Sequence, residues 1–129
     1  MHRSRIGAVL VDHPAESYDA AAAFWAGALG SARRDDPNDA DEPYESLDPL
    51  GGDVHLELQR TGSGTPARVH LDIETDDVAA EVSRVEALGA RVVENHEDWV
   101  VLVDPGGLVF CVVPVQTGDG FAPHATTWD

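Results

Sequence analysis

The second half of this chain repeats the landmarks of the first, and that repetition narrows the possible folds more than any single motif. Arg5-Ile6-Gly7 opens a segment that runs through helix-like spacing to Leu29-Gly30. It continues through Asp48-Pro49 and Gly51-Gly52 and closes on Leu56-Glu57-Leu58-Gln59. Arg68-Val69-His70 opens a second segment with the same punctuation: Leu88-Gly89, Asp104-Pro105, Gly106-Gly107 and Phe110-Cys111-Val112-Val113. The offset between matched landmarks falls from 63 to 59, 56 and 55, so short insertions separate two parallel units. A unit of about sixty residues with one helix and a few strands cannot easily bury its apolar face alone. Two such units laid together can. The expectation is one domain over 1–129, with module one at 5–60, a linker at 61–67, module two at 68–115 and a tail at 116–129.

Local patterns fill in the modules. Ile6 to Val11 is short, apolar and β-branched, as a buried strand is, and His13-Pro14 breaks it. Tyr18, Ala21, Ala22, Trp25, Ala28 and Leu29 recur at helical spacing, and Gly30 sits where a left-handed cap is wanted. Ser31 to Gly52 is the least regular stretch, with a solvated loop over Asp35 to Asp39 and a weak strand at Tyr44 to Leu47. Val54 to Arg60 alternates, placing Leu56 and Leu58 on one face and His55, Glu57 and Gln59 on the other.

After the linker Thr61 to Pro66, Val69 to Thr75 alternates in the same way, with His70, Asp72 and Glu74 on one face. Asp77 can cap a helix that buries Val78, Val82, Val85 and Leu88 and stops at Gly89. Strands follow at Arg91 to Glu94, Trp99 to Asp104 and Leu108 to Pro114, with Gly106-Gly107 turning the last hairpin. Each half therefore reads strand–helix–strand–strand–strand. Val115 to Asp129 shows no period and reads as a tail that wraps the domain or reaches a neighbour.

Charge narrows the partners. The 129 residues carry 24 Asp plus Glu against 8 basic groups, all arginine, for a formal charge of -16. Such a chain repels phosphate backbones and anionic bilayers, so neither nucleic acid nor membrane is expected. An acidic cleft would attract a cationic ligand instead. The lone Cys111 cannot form an intrachain disulfide, the N-terminus has no apolar signal segment, and a cytoplasmic location is expected. The glycine pairs lack dinucleotide context, no Ser/His/Asp order points to acyl transfer, and Asp35 to Asp41 lacks calcium-loop spacing.

Three stretches together carry a family likeness: Arg68-Val69-His70-Leu71-Asp72-Ile73, Ala87-Leu88-Gly89-Ala90, and Trp99 to Gly107 followed by Phe110 to Val113. They resemble the second module of the vicinal oxygen chelate superfamily, which includes glyoxalase I, extradiol dioxygenases and bleomycin-resistance proteins. Phe24-Trp25, Leu29-Gly30 and Leu58-Gln59-Arg60 resemble its first module. The likeness is closest to the bacterial glyoxalase-like domain proteins. It implies an α+β fold of two βαβββ modules, their strands forming an open, cup-shaped mixed sheet with helices outside. It also implies a homodimer, for which Phe121 and Trp128 offer apolar anchors.

Superfamily enzymes hold a divalent metal with the first and last strand of each module. The matching positions here are Gly7, Gln59 (or Glu57 two residues away), His70 and Cys111. Only His70 is the expected type, so no metal is favoured; one held here would fall to His70 and Glu57. His96-Glu97-Asp98 also has metal-type residues, but in a hairpin loop facing water. The expected ligand-binding set is His70, Gln59, Glu57, His55, Asp72 and Cys111, with Trp25 and Trp99 as possible apolar walls. Convergent polar groups in an apolar cup orient small molecules. The leading reading is a small-molecule binder without a catalytic metal. Its alternatives are a metal-dependent lyase, isomerase or dioxygenase, and sequestration of a cationic drug as in bleomycin-resistance proteins.

Overall fold

A computed structural model describes residues 1–35 and 43–129. Most of the acidic loop read near Asp35 to Asp41 lies outside the described residues. The first module runs β1 (His2–Pro14), α1 (Tyr18–Leu29), β2 (Arg34–Asp35), β3 (Tyr44–Ser46) and β4 (His55–Thr61). The second runs β5 (Arg68–Thr75), α2 (Val78–Ala87), β6 (Arg91–Asn95), β7 (Val100–Val103) and β8 (Val109–Pro114). These strands form one open mixed sheet in the order β2-β3-β4-β1-β5-β8-β7-β6. The pairs β1–β4 and β5–β8 are parallel, each joined by a helical crossover. At the centre β1 and β5 run antiparallel and join the modules.

Alternation along these strands builds two apolar clusters on the helix-covered face. Leu56 and Leu58 pack with Leu47, Tyr18 and Ala22 in module one. Leu102, Val100 and Val112 pack with Val85 of α2 in module two. Helix α2 is capped as expected, the Asp77 carboxylate accepting the Ala80 N–H at 3.0 Å. Gly30 closes α1 in the left-handed region at φ 65°. A buried polar knot braces the outer strand of module one. Tyr18 donates to Glu45 at 2.9 Å and Arg33 binds both Glu45 oxygens, which holds that carboxyl below the usual range.

Several expectations are corrected. Leu88 is 71% exposed because it caps α2 beyond its last buried turn, and Leu29, the last residue of α1, is 53% exposed. Trp25 stands at the surface, edge-on to Phe24, while Ala26 takes the inward position. Residues 116–129 contain a 3-10 turn at Gly118–Gly120, α3 (Phe121–His124) and β9 (Thr126–Trp128), which pairs with the start of β1. Phe121 is buried at 4% exposure, with the Arg3 guanidinium over its ring. Trp128 lies under Arg84 at 3.8 Å and donates to Ser4. The two anchors assigned to a dimer are thus used within the chain.

One residue changes the parity of β1. The β1–β5 register shifts between Ile6 and Ala8, so Gly7 is an extra residue opposite the partner strand. Arg5 reaches Glu74 before the shift and Asp12 reaches His70 after it, which puts odd and then even positions on the concave face. A Cβ built on Gly7 would lie 2.0 Å from Glu74 Oε2. A free glutamate would swing aside. This one is fully buried, accepts from Thr117 at 2.6 Å, and lies against Arg5. Gly7→Ala should therefore destabilise the fold by about 1–3 kcal/mol. Urea unfolding should show a lower midpoint at unchanged slope; an unmoved midpoint would mean that Glu74 is not pinned.

Candidate functional site

Strand register assembles the concave face row by row. His55 lies beside Ala8, which lies beside Asp72, which lies beside Cys111. Glu57, Leu10 and His70 form the next row, and Gln59, Asp12 and Arg68 the row after that. The structure thus brings all six residues of the expected ligand-binding set to one face of four adjacent strands. Trp25 and Trp99 do not join them. Trp99 stacks on His96 with centroids 4.2 Å apart, in a recess of about 420 Å³ against Val78 and Val82 of α2. That recess is on the helix side; His96, Glu97 and Asp98 stand at its rim, with Glu97 and Asp98 exposed.

The centre of the concave face is drier than strand alternation foretells. His70 is 7% exposed and Asp72 9%, while Asp12 and Glu74 are fully buried. Asp12 Oδ2 accepts from His70 Nδ1 at 2.7 Å, and Arg68 Nε approaches the same oxygen at 3.3 Å. A carboxylate only accepts, so the proton sits on Nδ1, and a neutral ring presents its Nε2 lone pair to the other side. There Asp72 Oδ1 lies 3.9 Å away. Asp12 Oδ1 has no partner among the described residues, and neither does Glu74 Oε2. Around this centre, Gln59 donates to the Tyr44 hydroxyl at 3.0 Å and His55 stands 3.6 Å from Glu57. A shallow recess of about 300 Å³ beside His55 and Ser46 opens at the module-one rim.

Asp12 and Arg5 escaped the sequence reading. Asp12 sits at the end of an apolar strand, where it looks like the start of a turn, and Arg5 appears only to flank the strand. Charged residues bracketing a buried strand were the available signal, but the switch of face at Gly7 hid their direction.

Burial outweighs the neighbouring cations at two groups. The Asp72 carboxyl is pushed up to about 6, first by burial, with Glu57 and Asp12 adding and His70 opposing. Burial, then the charges of Asp72 and Asp12, push the Cys111 thiol up to about 12. The four metal positions of the superfamily do not fit an ion in this chain. Gly7 offers no ligand, and Glu74, tied to Thr117, fills the space beside it. Gln59 is engaged with Tyr44, and Cys111 carries a thiol. Two of those positions, His70 and Cys111, do gather with Asp72, each presenting a donor atom within 4.8 Å of the others.

The raised Asp72 value has a definite consequence for stability. Below its ordinary value of 3.8, Asp72 is protonated in folded and unfolded chains alike and pH has no effect through it. Between there and about 6 the unfolded chain ionises first, so stability falls as pH rises; above 6 the loss is complete at about 3 kcal/mol. Asp72→Asn should therefore gain stability relative to the parent between pH 4 and pH 7, by up to that amount. Urea melts at both pH values test this, and a difference that does not move with pH is the contrary result.

Comparison with known proteins supports the same architecture. The glyoxalase-like domain model matches residues 8–113. No functionally curated protein matches the chain in sequence. Among solved structures, the Mn(II)-bound glyoxalase from Novosphingobium aromaticivorans superposes with a TM-score of 0.63 at 22% identity, covering 88% of this chain and 40% of that one. The 2,2',3-trihydroxybiphenyl 1,2-dioxygenase of Sphingomonas wittichii gives 0.61 at 14%, covering 88% and 41%. A methylmalonyl-CoA epimerase in complex with methylmalonyl-CoA gives 0.61 at 16%, covering 94% and 99%. This chain therefore spans less than half of the glyoxalase and dioxygenase chains and nearly all of the epimerase. At these identities the likeness is one of fold. With the matched model covering most of the sequence, the chain belongs to the glyoxalase-like domain family of the vicinal oxygen chelate superfamily.

Proposed function

We propose that the concave face of the sheet is the binding site for a small organic molecule that is cationic or rich in hydrogen-bond donors. One observation carries this reading: a buried patch of carboxylates whose accepting capacity is not used up. Among the described residues Asp12 Oδ1 and Glu74 Oε2 lack partners, and the His70 ring stands 3.9 Å from Asp72. An unsatisfied buried acceptor costs about 1–3 kcal/mol, which a donating ligand recovers. The epimerase, whose match covers 94% of this chain, holds methylmalonyl-CoA in its structure, and a small-molecule role here is consistent with that fold. Helix length adds a limit: among the described residues no helix is long and apolar enough to cross a membrane.

In this reading His70 is held in one tautomer by Asp12 and offers Nε2 to the ligand. Asp72, titrating near pH 6, presents an acid or a base to the same molecule according to pH. Gln59 and Glu57 contact its other end from β4, and Cys111 forms a small wall beside Asp72. The chemistry available is binding together with proton exchange at a single polar centre, which serves both a sequestering protein and an isomerase or lyase.

The test is a thermal-shift screen of small amines, amino sugars and polyols on chelator-treated protein. A stabilising ligand should bind at least tenfold more weakly to His70→Ala and to Gln59→Ala. If both variants bind as the parent does, the pocket lies elsewhere. Pairing of two copies belongs to the same proposal, and the exposed Phe24 and Leu29 of α1 supply an apolar face for it. Light scattering at micromolar concentration should report a dimer that Phe24→Ser weakens; a strict monomer defeats the pairing.

A further inference from the structure

The recess between α2 and the β6–β7 turn plays no part in the concave face, yet it is shaped as a pocket. Its volume of about 420 Å³ suits a small organic molecule. A shift of register sets its lining. The β6–β7 pairing slips between Val92 and Glu94, so Val93 is an extra residue on the edge strand. Before the bulge Val92 lies opposite Leu102 and packs against the core under α2; after it Asn95 lies opposite Val100 on that same side. Unbroken alternation would have placed Glu94 there. A short amide therefore borders a floor of Val100 and a wall of Val78 and Val82 from α2.

The turn holds an aromatic side chain ready beside that floor. The His96 N–H donates to the Trp99 carbonyl at 2.9 Å and closes the turn. The His96 ring stacks on the indole at 4.2 Å and stands 3.1 Å from Glu94 Oε1. Trp99, 40% exposed, is thus held against the recess, and a ligand covering it loses little to ordering. At the rim the side chains of Glu97 and Asp98 are exposed and make no ion pair or hydrogen bond among the described residues, nor does the Asn95 amide. None of the described lining residues is an arginine. The first turn of α2 also borders the recess, and a helix start favours anions. It carries only about half a unit charge, and Asp77 already caps it by accepting from Ala80. Two full carboxylates outweigh it.

We propose that this recess is a second ligand site, separate from the concave face, for a small hydrophobic cation: a protonated amine carried on an aryl or alkyl body. The body covers Val78, Val82 and the indole. The ammonium reaches Glu97 and Asp98 at the mouth and donates to the Asn95 amide oxygen. Carboxylates attract the charge directly, and the negative face of an indole attracts it again. An uncharged molecule of the same shape would gain the apolar contacts alone.

The experiment titrates phenethylammonium into the isotope-labelled full chain and follows it by NMR, with phenethyl alcohol as the uncharged counterpart. Expected are saturable shifts of the Trp99 indole N–H, assigned by its loss in Trp99→Phe, and of the backbone amides of Ala79, Val82 and Asn95. The ammonium should bind about tenfold more tightly than the alcohol. Glu97→Gln combined with Asp98→Asn should erase that preference without weakening the alcohol. Val82→Phe, which fills the recess, should remove both probes; should it misfold, the exposed double variant still decides. No saturable shift at these groups, equal affinity for the two probes, or a preference that survives the double variant would each overturn the proposal. Gln59→Ala, on the concave face, should leave these shifts unchanged, so either site can fail while the other stands.

Discussion

The antiparallel contact between β1 and β5 is the constraint from which the rest follows. Among the described residues it is the one ladder that the two modules share, and each of the two strands brings its own parallel neighbour, β4 or β8. Its register decides which side chains face each other across the pseudo-symmetric centre. Asp12 meets His70, Arg5 meets Glu74, and Ala8 stands opposite Asp72. A slip of one residue would turn all of these to the helix-covered face and bring Leu71 and Ile73 out. The two apolar clusters under α1 and α2 prevent that slip, because the same strands supply their floors. Core and candidate site are therefore two faces of one register.

Within that frame the chain handles a large excess of acid by pairing most of its buried carboxylates. Glu45 has Arg33, Glu74 has Arg5, Asp12 has His70 and Arg68, and Glu81 has His2 and Arg84. Half of the eight arginines are committed in this way. A buried ion pair costs desolvation that only good geometry returns, and a lone buried charge is worse. Asp72 is the exception among the described residues, with His70 3.9 Å away, and it resolves the cost by holding its proton to about pH 6. The position where pairing fails lies beside the one cysteine, which is why the candidate chemistry concentrates there.

Much of the fold was legible because it rests on period and punctuation. The Leu56/Leu58 alternation, the Asp77 cap and the glycine after α1 each follow from local geometry and stand where the pattern put them. Helix faces were read less well. In α1 nearly every residue is alanine, glycine or aromatic, so helical spacing could not separate Ala26, which packs inward, from Trp25, which does not. The tail offered no period because it is held by individual contacts. Phe121 lies under Arg3, Trp128 under Arg84, and three residues pair with β1.

The sequence by itself set the alternation that puts His55, Glu57 and Gln59 on one side of β4 and His70 and Asp72 on one side of β5. It also set the repeat of one strand–helix–strand–strand–strand unit; the family likeness supplied the shared cup face and the place of Cys111. The first two need only alternation within strands and the repeat between halves. The tertiary structure alone decided which of them touch. Gly7 enters as a bulge that reverses the parity of β1, a shift that exists only when β5 is present to count against. That reversal sends Asp12 to His70 and Arg5 to Glu74. Cross-strand neighbours such as Asp72 and Cys111 are about forty residues apart in sequence, and no local rule links them. Their closeness is a property of the β5–β8 ladder, and so is whatever chemistry they perform.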